Sequence, residues 1–469
     1  MVFSSLTFCF FILPLFLFFN FLSTNTNYKN FVIIFISLIF YVWGGVGNLI
    51  ILICYGVINY FLGYILQFFK DKYHSSSFTP LIIFVSCNLF GLIYYKYTFW
   101  LLSFFADLNI EFIKSFKAPV LPLGISFFTF HAISYLIDIH RGEISGKNKV
   151  SHFLTYFFMF PHLVAGPIVR YKDIAHQLNT RENDLSLFNY GFYRFILGIN
   201  KKLLIANSVA PIADVAFSTS LELSLSDSWL GAIAYTLQIY FDFSAYSDMA
   251  IGLAAMSGIK FKENFNSPYK SKSIKEFWRR WHISLSSWLR DYVYIPIGGS
   301  RVGVKRTYLN LCFVFLLCGI WHGASLTFVV WGLYHGIFLI LERVIGKRVD
   351  ASKIPCILKH CYCLLAVIIG WVLFRADNLD QAFSFIERMF TFDGIDKSFT
   401  LNYPCFAFNT IALVVGAFIA LFSPRLFSST SSELKNVEII PYTLNALLLF
   451  LSLSVLYLGA KNPFIYFNF

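Results

Sequence analysis

Hydrophobic runs of close to twenty residues recur along almost the whole of this 469-residue chain. A helix of about 20 apolar residues crosses ~30 Å of hydrocarbon. Such runs read near 5–22, 31–46, 49–69, 79–101, 119–138, 153–169, 188–210 and 227–256. A block free of charged residues follows at 307–341, and then come 356–375, 404–423 and 437–459. The pattern predicts an all-α polytopic membrane protein with roughly 11–13 transmembrane helices. Where Pro and Gly interrupt the runs, re-entrant or broken helices are expected. Only 13% of the chain is charged against 57% hydrophobic, and no hydrophilic stretch is long enough for a separate soluble domain. A single integral membrane domain over 1–469 is therefore expected. The first run lacks a basic segment before it and a small-residue cleavage site after it, so it reads as a retained helix.

The net charge of +12 is unevenly spread, for residues 259–306 hold eleven Lys and Arg against Glu263, Glu276 and Asp291. Cytoplasmic loops carry such an excess, which by itself accounts for it. The same cations also suit a phosphate-bearing ligand at the cytoplasmic mouth, and nucleic acid is not an expected partner. Within this loop, 275–290 reads as an amphipathic helix at the membrane surface, with Trp278, Trp281, Leu285 and Trp288 on its apolar stripe. Lys275, Arg279 and Arg280 lie largely off that stripe, and with Trp278 they are the candidate donor-binding residues. His282 borders it.

An ionisable group deep in an apolar segment marks a site by default. His322, preceded by Trp321, stands near the middle of the charge-free block. Imidazole is the side chain best suited to move a proton near neutral pH. As one helix the block would run ~52 Å, too long for the bilayer, and as two full spans it is short. A broken or re-entrant element around Gly319–Gly323 is expected, with His322 facing a cavity and Ser325 beside it. His335 falls thirteen residues later, about 220° further round an ideal helix, and reads as a packing histidine. Asp242 and Asp248 share one apolar span. Facing lipid, each would cost ~2.5–3.5 kcal/mol, so both are expected to face the interior. There, one of them can orient an imidazole, or both can tie helices together. His131, His162, Lys201, Lys202 and Asn207 are further pocket candidates that spacing does not rank. Nine scattered cysteines give no disulfide framework. The cluster Cys356, His360, Cys361 and Cys363 matches no common zinc spacing, and no metal is expected. On the residues alone, a transporter burying polar groups at helix breaks fits as well as an enzyme.

The strings LPLGISFFTF, FPHLVAGPI, YFDFSAYSDMAIG, FNSPYKSKSIKEFWRRWHISLSSWLRDYVYIPIGG, GIWHGASLTFVVWGLYHG and WVLFRAD follow in order over about residues 119–377. Together they resemble the membrane-bound O-acyltransferase family, most closely its bacterial branch containing the alginate O-acetylation membrane protein. The resemblance implies helices around a central funnel or tunnel, with 119–377 as catalytic core and 1–118 and 378–469 as peripheral helices. It implies His322 as the essential histidine and His282 as the second motif residue. By the same resemblance, an acyl group, acetyl first of all, passes from a cytoplasmic thioester to a hydroxyl of an extracytoplasmic polysaccharide. Acetyl-CoA or another acyl thioester would be the donor, with no bound cofactor. An extracytoplasmic relay protein is an expected partner, and the bacterial inner membrane the expected place. Teichoic acid D-alanylation and lipid or protein acceptors are the alternatives within the family.

Overall fold

Every regular element among the described residues is a helix. The computed structural model describes residues 2–73, 77–105, 116–181, 184–218, 223–346, 353–392, 406–422, 442–457 and 465. Among the described residues, six helices are long and apolar enough to cross a membrane: Val46–Lys72, Phe78–Lys96, Leu185–Ser218, Val304–His322, Leu326–Ile345 and Cys356–Arg375. Four shorter apolar helices accompany them, Phe8–Phe21, Thr26–Val42, Ala407–Phe422 and Thr443–Tyr457. The chain is a multi-pass membrane protein. Its residues group into two compact units, Met1–Phe195 with Ser247–Lys262, and Ile196–Tyr246 with Glu263–Phe469.

In the first unit, the run expected at 153–169 does not form one span. It breaks into Val150–Phe158 and the single turn Phe160–Leu163, with Met159 in an extended conformation between them (φ −52°, ψ 107°). The residue two before Pro161 thus leaves the helix, and the segment after Leu163 runs without regular structure to Tyr171. All of 159–170 is buried. Irregular backbone at membrane depth is tolerated where protein surrounds it. Gly166 makes the bend feasible, since a Cβ there would lie 2.3 Å from the Pro161 carbonyl oxygen.

The charge-free block in the second unit is a helical hairpin and not a re-entrant element. Val304–His322 and Leu326–Ile345 are 19 and 20 residues long, each ~29 Å and enough to span. The sequence expectation was too short because Lys305 and Arg306 belong to the first helix and Glu342 and Arg343 to the second. Gly323 ends the first helix in extended backbone (φ −166°). Ser325 Oγ caps the second, accepting from Thr327 N–H at 3.3 Å. Gly319 and Gly332 face each other at the crossing, as small residues do where membrane helices touch backbone to backbone. A Cβ on Gly319 would sit 2.2 Å from the Phe328 carbonyl oxygen, and one on Gly332 2.3 Å from that of Phe315. Gly319→Val is therefore expected to destabilise the protein by at least ~3 kcal/mol, at the upper end of overpacking costs because backbone opposes it. Thermal unfolding in detergent checks this. Gly47→Ala, where nothing lies within 4 Å of the added carbon, should leave the melting temperature unchanged or slightly raised.

Candidate active site

Both Trp–His pairs lie in the second unit, and the backbone brings them to one aromatic cluster. The segment expected to be one amphipathic surface helix is two short ones, Ile274–Arg280 and Ile283–Leu289, broken at Trp281–His282. His282 itself adopts left-handed backbone (φ 42°, ψ 55°), which costs a non-glycine residue of order 1–3 kcal/mol and survives only where its surroundings impose it. They do so here. Ile283 N–H donates to the Asn264 carbonyl at 2.9 Å, and Asn266 N–H donates to the Arg280 carbonyl at 2.9 Å. The neighbouring strand of chain thus supplies the partners that a continuous helix would have supplied. Trp281 is buried among Phe277, Phe265 and Trp371, with ring centroids 5.6, 5.0 and 4.7 Å away. The tryptophan stripe is therefore protein core, and His282 is fully buried instead of bordering solvent.

His322 is the last residue of its helix and is 3% exposed. Three rings meet it edge to face: Trp321 at 4.9 Å, Trp331 at 5.1 Å and Phe374 at 5.1 Å. Trp321 also meets the His282 ring at 6.2 Å, so one indole touches both imidazoles. Phe243 closes the other side of His282 at 4.6 Å. Burial pushes the His282 imidazole down to about 3, so it is neutral at physiological pH. His335 is on the second hairpin helix, and the single-helix angle that separated it from His322 does not apply. It packs on Trp331 at 5.1 Å and on Trp278 at 5.2 Å, with Nδ1 lacking a hydrogen-bond partner among the described residues.

A cavity of about 1190 Å3 opens beside this cluster. Lys272, Lys275, Arg279, Arg290, Arg343 and Lys359 line it with one carboxylate, Glu342, and its lining also includes Trp278, Phe315 and Cys318. Cys318 precedes His322 by four residues on the same helix, one turn away. Lys275, Arg279 and Trp278 thus share one cavity. Arg280 does not line it. Its guanidinium pairs with Glu276 at 2.9 Å and donates to the Asn266 carbonyl at 3.1 Å. Glu342 accepts from the N–H groups of Ile274 and Lys275, at 2.5 and 3.1 Å, satisfying free donors at that helix N-terminus.

Asp242 and Asp248 of Leu225–Met256 do face the interior, as membrane cost requires. Asp242 pairs with Lys202 at 2.7 Å and accepts from Ile465 N–H at 2.9 Å. Asp248, in the first unit, pairs with Arg194 at 2.6 Å. Both serve buried ion pairs. His131 and His162 face each other in the first unit with ring centroids 4.4 Å apart. Ser325 acts as the helix cap described above.

Sequence reasoning passed over Asn264, whose side chain contacts His282, and Glu342, taken only as the edge of a charge-free block. The one signal for Asn264 was its place in a polar string eighteen residues before the histidine.

A family model for the membrane-bound O-acyltransferases matches residues 125–379, a range that includes both Trp–His pairs. A probable alginate O-acetylase AlgI of Pseudomonas aeruginosa is 44% identical over 84% of this chain and 75% of that protein. A peptidoglycan O-acetyltransferase of Helicobacter pylori is 33% identical, covering 92% of this chain and 90% of its own length. For a teichoic acid D-alanyltransferase of Bacillus subtilis the identity is 29%, over 48% of this chain and 60% of that one.

Proposed function

Because this chain belongs to the membrane-bound O-acyltransferase family, we propose that it moves an acetyl group from a cytoplasmic acyl thioester, through His322, to a hydroxyl of an extracytoplasmic polysaccharide. It is a multi-pass membrane enzyme of O-acyl transfer. The observation that carries the finer reading is the convergence of His322 and His282 on Trp321, beside a cation-lined cavity that reaches within one turn of His322.

In its neutral form the His322 imidazole takes the proton of the acceptor hydroxyl as the oxygen attacks the thioester carbonyl carbon. The C–O bond forms, the C–S bond breaks, and the leaving thiolate takes the proton back from the imidazolium. The donor is acetyl-CoA or another acyl thioester, with its phosphates at the Lys275 and Arg279 end and its acyl arm along the Trp278, Phe315 and Cys318 wall. The excess of Lys and Arg in the loop supports a mouth on the cytoplasmic face, and the membrane of this reading is the bacterial inner membrane. The acetyl group reaches the polysaccharide directly or through the hydroxyl of an extracytoplasmic relay protein. The higher identity to the alginate and peptidoglycan enzymes than to the D-alanyltransferase favours acetyl transfer to a glycan.

The donor site has its own test. Exposed charge contacts are worth up to ~1 kcal/mol each, so the Lys275→Ala/Arg279→Ala double variant should raise the donor KM about 10-fold, with kcat nearly unchanged. Initial rates in inside-out membrane vesicles, with labelled acetyl-CoA varied, measure this. An unchanged KM would remove the phosphates from this cavity.

A further inference from the structure

His282 is held by a side chain that favours one of its two neutral protonation patterns. Asn264 is fully buried, and its Oδ1 lies 3.1 Å from Ser284 N–H, 2.8 Å from Ser284 Oγ and 3.3 Å from His282 Nδ1. A backbone N–H can only donate, so the amide atom it meets is the oxygen. An amide oxygen can only accept, so the 3.3 Å contact assigns a hydrogen to His282 Nδ1; Ser284 Oγ also lies 3.4 Å from that nitrogen, but its hydrogen goes to the shorter 2.8 Å bond to Asn264 Oδ1. In a neutral imidazole the other nitrogen then bears the lone pair. That nitrogen, Nε2, is buried and has no hydrogen-bond partner among the described residues. A buried acceptor left unmade is costly, and the left-handed backbone at His282 shows that the fold holds the ring in place at further expense.

We infer that Asn264 is a positioning residue that fixes His282 as the Nδ1–H tautomer, so that His282 presents Nε2 as a lone-pair acceptor to an X–H group of a substrate. It does not act as a donor to the carbonyl oxygen of the reacting acyl group. A lone pair repels a developing oxyanion, so stabilisation of that charge belongs to other groups, whereas a hydroxyl or thiol hydrogen is drawn to Nε2. The inference rests on the acyl-transfer reading for the identity of that substrate group. The tautomer itself does not depend on it.

Two readouts test it. In 15N-histidine-labelled protein in lipid, with the His282 signals assigned by difference from His282→Gln, wild type should show a protonated Nδ1 and an unprotonated Nε2. Asn264→Leu, which has no acceptor, should lose the Nδ1–H signature, and its acyl-transfer kcat should fall by at least ~10-fold, the donor KM staying within about 2-fold. Asn264→Asp keeps an acceptor oxygen in place and should restore both the tautomer and most of kcat. The inference is overturned if wild-type His282 carries its proton on Nε2, if Asn264→Leu keeps full kcat, or if the Asp variant is as slow as the Leu one. Should Asn264→Leu fail to insert, the wild-type tautomer and the Asp variant still decide. A protein that shows the Nδ1–H tautomer but transfers no acyl group would remove the reaction and leave Asn264's role standing.

Discussion

Cells carrying His322→Ala are expected to lose nearly all extracellular glycan O-acetyl groups while keeping wild-type amounts of the protein in the membrane. The size of the effect follows from what the imidazole supplies. A positioned general base is worth ~10²–10⁴ in rate. The loss must be separated from simple damage, because His322 fills a box of three aromatic rings and its removal leaves a cavity. His322→Gln keeps most of that volume and a hydrogen-bonding end but cannot cycle a proton. It should insert and melt close to wild type and be nearly as inactive as the alanine variant. Acetylation that persists in either variant, in a strain with no second such enzyme, would sink proton transfer through His322 and reopen the transporter reading. Loss in the alanine variant alone would mean that the ring shapes the site without carrying a proton.

The helical membrane fold was legible because burial in lipid imposes length and apolarity on every span, and both are properties of a local string. The hairpin was misjudged where that logic was applied too strictly. Lys305, Arg306, Glu342 and Arg343 sit in terminal turns, where long side chains reach polar surroundings, so charge marked the edge of hydrocarbon and not the end of helix. The break at His282 was invisible for a different reason. The string around it has good helical periodicity, and what interrupts it is a pair of backbone hydrogen bonds from residues 264–266, a tertiary contact that no window of sequence contains. The same contact carries Asn264 to His282. Trp321 and His322 were legible together because an imidazole in an apolar run demands an explanation wherever it lies. That the other Trp–His pair meets the same indole was not, since the two pairs are separated by forty positions and joined only by packing.

The buried carboxylate of Asp242 admitted two readings, orienting an imidazole or tying helices, and its geometry predicts an outcome that separates them. Lys202 and Asp242 form an ion pair at 2.7 Å with side chains only 3% and 2% exposed. Removing one partner strands the other charge, at a cost of about 3–5 kcal/mol, whereas replacing both with apolar residues of similar size is often neutral or stabilising. Lys202→Met should therefore lower the melting temperature in detergent sharply and reduce the protein found in membranes, with acetylation falling in proportion to that amount. Adding Asp242→Leu should recover most of the melting temperature and most of the acetylation, because the stranded carboxylate is gone. The amide of Ile465, which donates to Asp242 at 2.9 Å, loses its acceptor in the double variant, so recovery is expected to fall short by ~1 kcal/mol. An Asp242 that oriented the reacting imidazole would give the opposite pattern. The double variant would then fold well and transfer nothing, like His322→Gln, and the carboxylate would move from the scaffold into the reaction.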